Sequence, residues 1–419
     1  MAAKQIAVIG GGVVGVCTAY FLAEAGHQVV VLERQQSVAQ EASLANSGVT
    51  APGYGVPMAA PGMPRKILSH LFKSEAAVVV KPTLERALWR WARRWLNECE
   101  VDRYRVNRER MQRVAIYSHA VLQHLREHYR IDYERTQGVL QLFRAPDDIA
   151  AAETAAGLLA DGGIPYRMVS AEEAREIEPA LAPSTTLAGG LYLPDDESGN
   201  CPLFTKRMKQ IAEDIGVRFL FATQVDRIAP GGHGVTLHIG AREFPADAVV
   251  LAAGADSVKL LEPLGVQVPL YPVKGYSATA TIKNFDEAPV AAVSDEHYKV
   301  SISRMGMRIR IAGTAEVGSR SLDMHEAALR MLAKVGDDWF PGAANYHAAS
   351  FWSGAHPMLP DGPPILGATP LRNVYANIGH GSLGWAMAAG SGKIVADIVS
   401  GHNPDIDMHG LTLSRYGSH

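Results

Sequence analysis

Three glycines spaced as Gly10-x-Gly12-x-x-Gly15, with an acid at Glu33, are the residues whose types and spacing most narrowly limit the chemistry of this chain. A backbone that turns through such glycines directs its N–H groups outward at a helix start, which is how a pyrophosphate is held. Gly10 permits the tight turn, Gly12 lets the backbone approach the phosphates, and Gly15 lets the helix lie close on its strand. Val13 and Val14 complete the turn. Glu33 stands where a carboxylate accepts hydrogen bonds from ribose hydroxyls and repels a 2′-phosphate, which disfavours NADP. Arg34, next to it, is a further expected contact.

The elements that must position these residues are legible around them. The apolar run 6–9 reads as a buried parallel strand, 13–25 as a helix ending at Gly26, and 29–32 as a second strand that delivers Glu33. The fingerprint does not by itself separate NAD from FAD, so the remaining chain must. A late apolar strand, 248–252, runs into Ala253-Gly254, preceded by a strand at 217–225 that ends on Val225 and a β-ribbon through Gly231-Gly232-His233-Gly234. Near the end, Asp361-Gly362-Pro363-Pro364-Ile365-Leu366-Gly367 precedes a strand at 374–378, then Gly379-His380-Gly381-Ser382-Leu383-Gly384-Trp385 and a small-residue helix at 387–399. A helix start there stabilises an anion, and a reduced flavin gains negative charge. The three segments together favour FAD.

With these segments in place, nearly the whole chain resembles the D-amino acid oxidase superfamily of FAD-dependent oxidoreductases, and its D-amino acid dehydrogenase branch most closely. The resemblance rests on the fingerprint and on Ala45-Asn46-Ser47-Gly48, Pro52-Gly53-Tyr54, Thr136-Gln137-Gly138 and Cys201-Pro202-Leu203-Phe204-Thr205. It also rests on Tyr271-Pro272-Val273-Lys274-Gly275-Tyr276, Asp295-Glu296-His297-Tyr298-Lys299 and Gly379-His380-Gly381. It implies oxidative deamination: the substrate's α-hydrogen leaves as hydride to flavin N5, and the imine hydrolyses to a keto acid and ammonia. It also implies a quinone or other respiratory electron acceptor and a role in amino acid catabolism. It implies that Asn46 and Ser47 lie near the flavin ring or phosphates, and it makes Tyr54, Tyr276, Tyr298, His356 and His380 candidates for the substrate side. One position departs from the family. Where relatives carry an arginine that pairs with the substrate carboxylate, this chain has His356, in Gly354-Ala355-His356-Pro357-Met358-Leu359-Pro360-Asp361-Gly362. Imidazole titrates near neutrality and lacks the guanidinium fork. Either Lys274, Tyr54, Tyr276 or Tyr298 holds a carboxylate, or the substrate is an amine with a different second group.

The expected fold is α/β: a Rossmann-like FAD-binding domain from 1–85, 150–265 and 345–419, interleaved with an α+β substrate domain from 86–149 and 266–344. The substrate domain is expected on a mainly antiparallel sheet, supported by the alternating run 300–311. The 419 residues suit two domains, and the formal charge of −3 sets nucleic acid aside. Cys17, Cys99 and Cys201 lie too far apart in sequence to suggest a disulfide framework or a zinc site, and a reducing, cytoplasmic setting fits them. No signal peptide or spanning segment is read. The stretch 64–100 is basic and tryptophan-containing, with Arg65-Lys66, Leu71-Phe72-Lys73, Trp89, Arg90, Trp91, Arg93, Arg94 and Trp95. It reads either as a weak peripheral membrane contact or as a helix packed on the protein with a solvated basic face. Rival readings of the whole are an oxygen-using flavin amine or imino-acid oxidase and a non-catalytic FAD-binding protein.

Overall fold

The computed structural model describes residues 3–70 and 78–417. A parallel strand surrounded by helices must be apolar on both faces, and Gln5–Ile9 and Ala248–Leu251 are buried along nearly their whole length. They form the centre of a six-stranded sheet. Across it run Ile365–Ala368, Val374–Ile378, Ala248–Leu251, Gln5–Ile9, Gln28–Leu32 and Arg218–Leu220. Every pairing is parallel except that of Ile365–Ala368 with Val374–Ile378.

On one face of this sheet lie the helices Val13–Glu24 and Gly384–Val399, with the long helix Val101–Tyr129 packed behind. Small residues set the spacing. A Cβ added at Gly392 would sit 2.9 Å from the Cys17 backbone, and one at Gly390 2.6 Å from Ser118 Cα. The other face is covered by the antiparallel ribbon Arg227–Pro230, Val235–Ile239 and Arg242–Ala246, which matches the expected ribbon around 231–234.

The second sheet is mixed and rich in antiparallel pairs. Its main path runs Ser350–Met358, Tyr271–Thr281, Arg308–Val317, Val300–Met305, Ala292–Asp295, Thr136–Phe143, Gly189–Ser198 and Val49–Thr50. Val78–Val80 and Arg167–Ser170 pair at its sides. The helix Glu326–Trp339 covers one face. Strands Val49–Thr50, Val78–Val80, Arg167–Ser170, Gly189–Ser198 and Ser350–Met358 lie in segments assigned above to the FAD-binding domain, yet they pair in this sheet. Apolar patterning says that a strand is buried, not which sheet it joins.

Packing settles the orientation of the tryptophans in the basic segment. On the helix Arg86–Glu98, Trp91 and Trp95 are buried against Tyr271, Val273 and Met358, so only Trp89 faces outward. Leu71-Phe72-Lys73 lie outside the described residues. Among the described residues, no helix is long and apolar enough to cross a membrane.

Candidate active site

The phosphate cradle forms where Gln5–Ile9 turns into the helix Val13–Glu24. Gly10 has φ +112°, and a Cβ there would lie 2.5 Å from the Ala252 carbonyl oxygen; at Gly15 one would lie 1.9 Å from the Gly10 carbonyl oxygen. No larger residue lets strand, turn and helix meet this closely. The Val13 N–H donates to Ser43 Oγ at 3.1 Å, which adds a hydroxyl to the cradle. The Glu33 carboxylate, nearly buried, accepts from Gly11 N at 2.5 Å and Gln35 N at 2.7 Å. Arg34 pairs with Glu41 and Asp256 at the rim.

From this cradle a cavity of about 1520 Å³ runs between the two sheets. Ordinary small-ligand pockets occupy roughly 300–1,000 Å³, so this one has the capacity for a dinucleotide. It is lined by Gly10, Gly12, Val13, Val14, Glu33, Arg34 and Asn46 on the N-terminal side, and by Val225, Ala253 and Gly254 in the middle. Gly379, His380, Gly381, Ser382 and Gly384 line its far end. Gly15 instead serves helix packing, while Ser47 and Leu383 face a second cavity. Gly384, the first residue of the helix Gly384–Val399, lines the cavity, and no side chain caps this helix, so its N-terminal dipole is available at that end. The residues fit FAD: a glycine cradle, an acid at the ribose position and an uncapped helix start at the opposite end.

The second cavity, of about 590 Å³, opens into the first. The two share Asn46, Trp352, His356, His380, Gly381 and Ser382. His356 lies on Ser350–Met358 directly over Gly275 of the neighbouring strand, where a Cβ would come 2.4 Å from its Nε2. Its ring also hydrogen-bonds the Gly381 backbone. Burial within the wall pulls its pKa down to about 4 despite that bond. The part of the ring that stays accessible faces the cavity. His380 is buried, hydrogen-bonds Ser391 Oγ at 3.0 Å and is pulled down to about 3 by desolvation. Both imidazoles are therefore neutral at pH 7. This corrects the expectation that His356 titrates near neutrality: the wall withholds the water that would stabilise an imidazolium.

The other substrate-side candidates separate. Tyr54 lines the smaller cavity, accepts a hydrogen bond from Ser294 Oγ at 3.0 Å, and is held protonated by burial and by the charge of Glu296. Tyr276 reaches the cavity wall, but its hydroxyl is committed to Glu316 at 2.8 Å. Lys274 is buried and ion-paired with Glu316 at 2.9 Å, with further bonds to the Ser321 and Asp323 carbonyls, and lines neither cavity. Tyr298 turns away to stack beneath Arg144 and Lys334. Lys274 and Tyr298 therefore do not reach a molecule in the cavity. A lysine flanked by tyrosines gives no sign in sequence that a glutamate forty residues later neutralises it.

Tyr104 and Arg108, not singled out from sequence, help complete the smaller cavity, as do Lys66, Glu296 and Lys299, which the sequence offered only within the basic stretch and a family motif. Tyr104, Arg108 and Met111 follow the helical spacing i, i+4, i+7 on Val101–Tyr129, a face that periodicity could have exposed.

Residues 5–398 match the family described as FAD dependent oxidoreductase (DAO). A D-amino acid dehydrogenase of Agrobacterium fabrum is 43% identical over 417 residues, covering 99% of this chain and 100% of that protein. One from Vibrio vulnificus is 44% identical over 414 residues, covering 98% and 99% respectively. Among solved structures, glycine oxidase from Geobacillus kaustophilus superposes with a TM-score of 0.75 at 24% identity, covering 99% of each chain. L-proline dehydrogenase from P. horikoshii gives 0.75 at 18% identity, covering 99% of this chain and 98% of that one. These two structures share the fold.

Two predictions arise from this geometry. Replacing Glu33 with Gln keeps an acceptor but loses its charge, and should weaken FAD binding by about 1.5–3 kcal/mol, measured by equilibrium dialysis against FAD. Unchanged affinity would show that Glu33 serves only the glycine turn. The second concerns acid. An unfolded imidazole gains its proton near pH ~6.5, but folded His356 does so only near 4 and His380 near 3. The unfolded state therefore binds more protons in that window, and stability falls as pH drops from about 6.5 toward 4. Thermal midpoints across this range should fall for the native protein and fall less for His380→Gln; equal slopes would mean the buried ring is not the cause.

Proposed function

The chain belongs to the DAO family of FAD-dependent oxidoreductases, and on that premise we propose that it dehydrogenates D-amino acids to imines, which hydrolyse to keto acids and ammonia. The observation that carries this reading is the wall shared by the two cavities, where Asn46, His356, His380 and Gly381 line both the dinucleotide space and a mainly apolar chamber. FAD, when bound, supplies the two-electron acceptor. The protein's own residues hold and orient. His356 ties its strand to the Gly381 backbone, and His380 is anchored by Ser391, so the loop between the cavities keeps one conformation. Tyr54, kept protonated, offers a donor to a substrate lone pair. The helix start at Gly384 stabilises negative charge at that end of the larger cavity.

We further propose that the electrons pass to a quinone at a membrane surface. Arg90 and Arg94 line the larger cavity, and on the same helix Trp89 is 63% and Leu96 51% exposed, with Leu84 just before it 95% exposed. An apolar fringe on a basic helix suits the boundary of an anionic bilayer on the cytoplasmic side.

Anaerobic addition of a D-amino acid should bleach the flavin of the holoprotein, while the L-enantiomer leaves it oxidised. Reoxidation by a quinone analogue should then outpace reoxidation by oxygen. Bleaching by neither enantiomer across an amino acid panel would remove the proposed substrate class, and faster reoxidation by oxygen would make the protein an oxidase. Sedimentation with vesicles containing anionic lipid should be measurable at low salt and lost as screening sets in above about 0.1 M. Absence of binding at low salt would leave the helix as a packed element with a solvated face.

A further inference from the structure

The loop Asn46-Ser47-Gly48 lies where the two cavities meet: Asn46 lines both, and Ser47 lines the smaller one. Its successive carbonyls are each held from behind by a buried donor. Asn46 O accepts from Arg310 Nη1 at 3.0 Å, Ser47 O from Ser303 Oγ at 2.6 Å, and Gly48 O from the Trp385 indole N–H at 3.1 Å. Arg310 and Ser303 stand opposite each other on the paired strands Arg308–Val317 and Val300–Met305, so one cross-strand pair secures two consecutive peptides.

Local hydrogen bonds take up most of the loop's N–H groups. The Gly48 N–H donates to Asn46 Oδ1 at 3.0 Å and the Val49 N–H to Ser47 Oγ at 3.4 Å. The Ser47 N–H differs, because among the described residues it has no acceptor. It belongs to the same peptide as the Asn46 carbonyl. In a trans peptide the two groups point in opposite directions, so the carbonyl held by Arg310 turns this N–H away from the sheet.

A neutral donor would hold the Asn46 carbonyl as well, as Ser303 does for the next one. Arg310 instead brings a charge into the interior. It is 7% exposed, its Nε is buried without a partner, and no carboxylate pairs with it among the described residues. Burial and the nearby Arg308 pull its pKa down to about 10, which still leaves a cation at pH 7. The remaining group acting on it is Cys201, whose thiol burial keeps protonated. An uncompensated buried charge is costly, and this one is free to interact with negative charge that arrives in the cavity. Its hydrogen bond also polarises the Asn46–Ser47 peptide, which makes the Ser47 N–H a stronger donor.

We propose that Arg310 is a positioning residue for the cofactor: through the Asn46–Ser47 peptide it stabilises the negative charge that FAD gains on reduction, and so biases the bound flavin toward its reduced state. The midpoint potential of the bound flavin, measured by equilibration with a reference dye, reads this bias, and titration with FAD gives the affinity of the oxidised form. Arg310→Gln, which keeps an amide donor and loses the charge, lowers the preference for reduced over oxidised FAD roughly tenfold, a fall of about 30 mV for a two-electron couple. Arg310→Lys, which keeps the charge, holds the potential near that of the native protein. Ser303→Ala removes the neighbouring hydrogen bond without touching the charge; it weakens both redox states of FAD alike and leaves the potential unchanged. If Arg310→Gln fails to load FAD, Arg310→Met supplies the charge-free readout. An unchanged potential in the charge-free variant, an equal fall in Arg310→Lys or Ser303→Ala, or failure of both charge-free variants to hold FAD makes Arg310 a structural support only and overturns the proposal. No substrate enters these measurements, so their outcome is independent of whether D-amino acids reduce the flavin.

Discussion

The architecture depends on how closely two pieces of backbone can approach. A Cβ at Gly10 would lie 2.5 Å from the Ala252 carbonyl oxygen, and at Gly15 the first helix presses onto that same turn. This contact places the N–H groups of one helix where phosphate charge can sit and fixes the central strands Gln5–Ile9 and Ala248–Leu251 side by side. The dinucleotide cavity is the space left when the rest of the chain folds around that pair. The same tolerance recurs where Gly390 and Gly392 let the helix Gly384–Val399 settle against its neighbours. That contact sets where its uncapped N-terminus points.

The second sheet works differently, through buried charges that satisfy one another. Glu197, wholly buried, receives the Tyr133 hydroxyl and is ion-paired with Arg126 and Arg135. Asp295 takes Arg144 and the Trp339 indole, and Glu316 takes Lys274 and the Tyr276 hydroxyl. Burying such groups is costly unless each finds a partner, so each cluster favours one arrangement of strands and helices. The result is a chamber whose wall contains several ionisable residues, most of them already committed. His356 and His380 follow the same logic in neutral form: dry surroundings cost them their proton, and backbone or hydroxyl partners hold the rings in place.

The sequence by itself determined the cofactor half of this protein. Steric demands at Gly10, Gly12 and Gly15 are local, since they concern residues adjacent in the chain, and the apolar runs around them have the period and length of buried strands. Glu33, Val225, Gly254 and the Gly379-His380-Gly381 loop are therefore legible in the sequence as cofactor-side residues, and all of them line one cavity. The family followed from the same motifs. Tertiary structure decided the substrate half, because each question there turns on partners far apart in sequence. Lys274 is neutralised by Glu316, and Tyr298 is held away by Arg144 and Lys334. The proton affinity of His356 depends on a wall built from several segments, which no stretch of sequence around it contains. A residue's type and its near neighbours can be read along the chain, whereas its dielectric surroundings and distant counter-charges exist only once the chain has closed on itself.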